Sequence, residues 1–139
     1  MERILVGIDP RMTGLWSVVF ALNLAKRMDV KISVLLVIDP ALAGKNKGPA
    51  SEASALRSRL EKIIQDGRSE GTPIDYFLAR GGFKDELIRF IQERKISLLV
   101  VDYPLADQNS GLENMPELLG EIKLRTGCRI EMVHSRDVK

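Results

Sequence analysis

Cysteine and histidine are almost missing from this chain, with one of each, Cys128 and His134, in 139 residues. A single cysteine excludes an internal disulfide and any cysteine-only metal cage, and Cys128 reads as a small buried or half-buried residue. A single histidine at the end of the last predicted strand leaves the usual nucleophile–base pairs without material. No apolar run approaches the roughly 18 residues of a membrane-spanning helix. The opening Met1-Glu2-Arg3-Ile4-Leu5-Val6 carries no signal-peptide pattern, so a cytoplasmic location and no membrane association are expected. Charge of one sign is lacking too. Lys and Arg number 21 against 19 Asp and Glu, interspersed, and a net charge of +2 lacks the basic footprint of a nucleic-acid binder. Phosphate fingerprints are absent: no G-x-G-x-x-G occurs, and Gly44-Lys45 is followed by Asn46 with Asp39 where a phosphate loop would need its first glycine.

What is present is ordinary globular material, 45% hydrophobic and 29% charged, in a length that suits one domain spanning 1–139. Five segments rich in β-branched and aliphatic residues, Ile4–Ile8, Ile32–Ile38, Ile74–Leu78, Ser97–Val101 and Arg129–Val133, alternate with four stretches of helical period. The first helix has a stripe of Leu15, Val18, Val19, Leu22, Ala25 and Met28, beside a second apolar row of Trp16, Phe20 and Leu24. A helix covered by the rest of the domain explains that row, and so does a partner. The second carries Ala53, Leu56, Leu60, Ile63 and Ile64, and the third runs from Phe83 to Arg94. The fourth uses Met115, Leu118, Leu119 and Ile122, admits Pro116 in its first turn and stops near Gly127.

Such alternation predicts right-handed crossovers and a doubly wound, open, parallel five-stranded sheet with helices on both faces, a Rossmann-like α/β fold. Continuous apolar runs mark the first, second and fourth strands as central. Polar–apolar alternation in Ile74-Asp75-Tyr76 and Arg129-Ile130-Glu131-Met132 marks the third and fifth as edges. The order 3-2-1-4-5 satisfies both and puts the topological switch beyond Asp9 and Asp102. Three strands end in acids, at Asp9-Pro10, Asp39-Pro40 and Asp102-Tyr103-Pro104. Asp-Pro can simply turn the chain out of a strand, whereas acids sharing a crevice can hold a hard cation or raise one another's pKa. The paired acids of a response-regulator receiver are not found in Gly7-Ile8-Asp9-Pro10. No catalytic residue and no metal site is expected.

Arg3-Ile4-Leu5-Val6-Gly7-Ile8-Asp9, Ala21-Leu22-Asn23-Leu24-Ala25 and Val34-Leu35-Leu36-Val37-Ile38-Asp39 resemble the universal stress protein family. The likeness continues through Asp85–Val101, Ser110-Gly111-Leu112, Leu118-Leu119-Gly120 and the strand after Gly127-Cys128. The resemblance implies the same strand order, a role in the stress response, and a homodimer formed through the last strand, here Arg129, Ile130, Glu131, Met132 and Val133. ATP-binding members carry G-x-x-G after the fourth strand and then G-[ST]. Here Asp102-Tyr103-Pro104-Leu105-Ala106 lacks both first glycines, and Glu121 follows Gly120 where the hydroxyl should stand. The expectation is a non-enzymatic regulatory or protein-interaction module that does not bind ATP in the usual mode and needs no cofactor. The alternative is a nucleotide binder, taking ATP or AMP with Mg through an altered loop. Should a nucleotide bind, its residues would be Asp9, Val37, Asp102, Gly111, Gly120 and Glu121.

Overall fold

The computed structural model describes residues 2–10, 15–40, 49–102 and 115–134, backbone only at 49–53. Strands β1 (Glu2–Ile8), β2 (Val30–Ile38), β3 (Ile74–Arg80), β4 (Leu98–Asp102) and β5 (Arg129–Val133) alternate with helices α1 (Trp16–Ala25), α2 (Pro49–Ser69), α3 (Phe83–Arg94) and α4 (Met115–Thr126). All neighbouring strands are parallel, in the order β3-β2-β1-β4-β5. The expected topology and both expected edges are therefore observed. Central β1 is buried from Ile4 through Ile8, whereas β5 alternates exposed and half-buried residues as far as Met132.

The two faces of the sheet build separate cores. Ile4, Val6, Ile8, Val34, Leu36 and Val100 meet α1 and α2 through Val18, Ala21, Leu56, Leu60 and Ile64. Leu5, Leu35, Val37, Leu99 and Val101 meet α3 and α4 through Phe83, Leu87, Ile91, Leu119 and Ile122. This is the period-2 alternation of a strand covered on both sides. Gly127 ends α4 with φ of 70°, its N–H bonded to the Lys123 carbonyl at 2.8 Å, the left-handed cap that favours glycine.

The stripe expected on α1 needs correction. The helix stops at Ala25, so Met28 lies past its end and is exposed, and the positions fully buried are Ser17, Val18 and Ala21. Phe20 and Leu24 pack half-buried against their own chain's core, while Trp16 is 39% exposed. The second apolar row is thus partly core and partly surface.

Candidate functional site

Strands β1 and β4 run side by side with Val6 opposite Val100, so Asp9 and Asp102 both stand at the carboxyl edge of the sheet, at the switch point. Both are buried, at 3% and 4% exposure. A buried carboxylate must find donors or lose its charge. Asp102 finds them at the start of α1: its oxygens accept the Ser17 N–H at 2.8 Å and the Ser17 hydroxyl at 3.0 Å.

Helix α1 needs that contact. Its N-cap residue is Leu15, held at φ of 52° with no side-chain cap of its own, so the orphan amide of Ser17 has no local acceptor. Asp102 supplies a cap from a strand 85 residues away, and its charge also suits the positive end of the helix. Burial still pushes the Asp102 carboxyl above its ordinary range, against the hydrogen bonds from Ser17 and the Trp16 backbone that pull it down. Asp9 is partnered as well. The reading of these acids as an open cation cluster finds no support among the described residues, where no group of three potential metal ligands occurs.

Of the other nucleotide candidates, Val37 follows Leu36, the β2 partner of Ile8, and so lies beside Asp9 at the same edge of the sheet. Val37 is 1% exposed and packs its side chain into the α3–α4 core. Gly120 and Glu121 are the sixth and seventh residues of α4, with Glu121 about 9 Å along the axis from its first residue. Glu121 thus stands away from the N-terminal region of the helix, where anions bind. Instead it forms an ion pair with Lys84 of α3. The hydrogen bond and charge of Lys84 hold the Glu121 carboxyl below its usual range and raise Lys84 in turn. An added Cβ at Gly120 would meet no described residue within 4 Å, so no tight approach among the described residues demands glycine there. Gly111, with most of the 102–114 loop, lies outside the described residues.

The actual first turn of α4 holds Met115, Pro116 and Glu117. Met115 is buried at 1% exposure, proline offers no amide hydrogen, and Glu117 puts a carboxylate at the positive end of the helix dipole. A proline and a carboxylate in this turn set it apart from the glycine-rich helix starts that cradle phosphate. The carboxylate nearest the start of α4 is thus Glu117, one helical turn before Glu121. Pro116 in the first turn already fixed that start in the sequence, but the spelling around Gly120 was matched without regard to it.

The family model for the universal stress protein family matches residues 1–103. A search of curated proteins found no match. Among solved structures, the chain is similar to the universal stress protein UspA from Lactobacillus plantarum, with a TM-score of 0.70 and 18% identity over 95% of this chain and 97% of that one. It is similar to a universal stress protein solved in complex with cAMP, with a TM-score of 0.66 and 21% identity over 96% of each chain. It is also similar to the universal stress protein from Archaeoglobus fulgidus in complex with dAMP, with a TM-score of 0.58 and 16% identity over 95% and 96%.

Proposed function

The chain belongs to the universal stress protein family, and from that premise we propose that it is a non-enzymatic regulatory module, acting as a homodimer, that does not bind ATP in the family's usual mode. The observation that carries this reading is the first turn of α4, where Pro116 and Glu117 occupy the end a triphosphate would need. The two glycines expected after β4 are also missing from the sequence, where Tyr103-Pro104-Leu105-Ala106 stand and only Pro104 lacks an amide donor. Calorimetric titration of ligand-free protein with ATP and Mg²⁺ is expected to give no binding heat. Micromolar affinity would overturn this part of the reading.

Nucleotide binding without the phosphate cradle is the second reading, favoured by relatives solved with cAMP and dAMP. It requires Asp9 at the nucleoside end. AMP binding that disappears in Asp9→Ala, with the fold intact, would establish it over the first.

The homodimer is proposed through β5. The Arg129 N–H is bonded to the Ser97 carbonyl of the neighbouring strand, so by the period of a parallel ladder the amides of Ile130 and Met132 point away from the sheet. That open edge is a template for a second copy. In sedimentation at micromolar concentration the protein is expected to run as a dimer and Met132→Pro as a folded monomer, since proline there removes an outward amide but no ladder bond. A monomeric parent protein would defeat the proposal.

A further inference from the structure

At the opposite, amino-terminal edge of the sheet lies a recess of about 380 Å³ that no part of the proposed function uses. Its floor is Ser33, the one hydroxyl in the otherwise apolar centre of β2. Ser33 is 5% exposed, and its hydroxyl makes no hydrogen bond to any described residue. Its oxygen is not one of the buried polar atoms left without a partner, so it opens to the recess, where it can meet a ligand.

The walls explain what such a floor could recognise. Arg94, at the end of α3, lays its guanidinium over Phe77 at 4.5 Å and Phe90 at 4.9 Å, two rings that themselves meet edge to face. Its backbone is held too, because Arg3 donates to the Arg94 carbonyl at 3.0 Å. Aromatic stacking fixes the plane of a guanidinium while leaving its edge free, and a planar edge of N–H donors matches an oxyanion. Among the described residues no carboxylate pairs with Arg94.

Charge narrows the class. Arg3, Lys31 and Arg94 face the recess against Asp75 and Glu93, three positive groups and two negative, which leaves one positive charge. Lys31 and Asp75 already pair at 3.3 Å. One surplus charge suits a monoanion better than a phosphate dianion, and buried Ile96 gives the recess an apolar side. We propose that this recess binds a small monocarboxylic acid with an apolar body, its carboxylate between Arg94 and the Ser33 hydroxyl. The site is independent of the switch-point crevice and stands whether or not a nucleotide binds there.

The test is an NMR titration of the ¹⁵N-labelled full chain with benzoate, alongside neutral benzamide and inorganic phosphate. Benzoate is expected to shift the amides of Lys31 to Ser33 and of Arg94 to Ile96, and benzamide to leave them in place. Arg94→Gln should weaken benzoate about tenfold or more. Ser33→Val fills the floor with a residue suited to a strand and should abolish binding while the spectrum keeps its dispersion. Unmoved amides with benzoate, equal shifts with benzamide, tighter binding of phosphate, or undiminished binding in Ser33→Val would each overturn the proposal. Should a variant not fold, the comparison of benzoate with benzamide on the parent protein decides.

Discussion

Asp102→Ala is expected to cost about 3 kcal/mol of unfolding free energy, lowering the melting midpoint by about 10 °C. The loss is larger than that of an ordinary helix cap because two donors are orphaned at once, the amide and the hydroxyl of Ser17, and Ser17 is fully buried. Asp102→Asn keeps an oxygen acceptor and should stay within about 1 kcal/mol of the parent protein at neutral pH. The two variants together separate loss of the acceptor from loss of the charge.

Their pH dependence carries a sign. The folded-state pKa of Asp102 is raised, chiefly by burial. Below the unfolded value both states hold the proton and the full contribution to stability is present. Between the unfolded and the folded value only the native state binds it, so this contribution is lost as pH rises. Relative to Asp102→Asn, the parent protein should therefore lose stability from the ordinary carboxylate range up through the raised folded value, then run parallel. Denaturant midpoints measured across that range check it. A relative loss on acidification would mean that the hydrogen bonds outweigh burial.

Gly7→Val is expected to cost about 3 kcal/mol although valine favours strands. Gly7 lies in β1 beneath α3, and a Cβ built there would stand 2.8 Å from a Leu87 methyl carbon and 3.6 Å from the Phe83 ring. Leu87 is fully buried, so neither side can give without moving the helix. Leu87→Ala alone should cost a similar amount by leaving a cavity. The double variant should cost at least about 1 kcal/mol less than the sum, since each change supplies room for the other. Strict additivity in equilibrium unfolding would refute the close approach as the cause.

These expectations mark where sequence reasoning reached and where it stopped. The sheet was legible because central strands such as Val34–Ile38 must be apolar on both faces and edge strands such as Arg129–Val133 need not be. Helix α3 was legible to its ends because its buried Leu87, Ile88 and Ile91 recur at helical spacing behind Asp85 and Glu86 in the first turn. The partner of Asp102 was not, since nothing local in either segment announces a contact across 85 residues. One hint existed: α1 begins without a Ser, Thr, Asp or Asn immediately before it, and a helix start lacking its own cap needs an acceptor from elsewhere. Gly120 misled because its spelling was matched to a motif although Pro116, read in the first turn of α4, already put it a turn further along the helix. Ser33 gave no signal because one serine in a strand is unremarkable until its neighbours in space are known.

The shared ownership of that cap also orders events on the ribosome. Strands β1, β2 and β3 with α1 and α2 emerge first and can assemble three of the five strands of the sheet, but β1 then presents an open flank and Ser17 an unpaired amide. Synthesis of the 85 residues from Ser17 to Asp102 takes roughly 4–17 s. Throughout that interval the helix start is unsecured, and once β2 is made β1 is a central strand with one neighbour, until the arrival of β4 closes both gaps in one step.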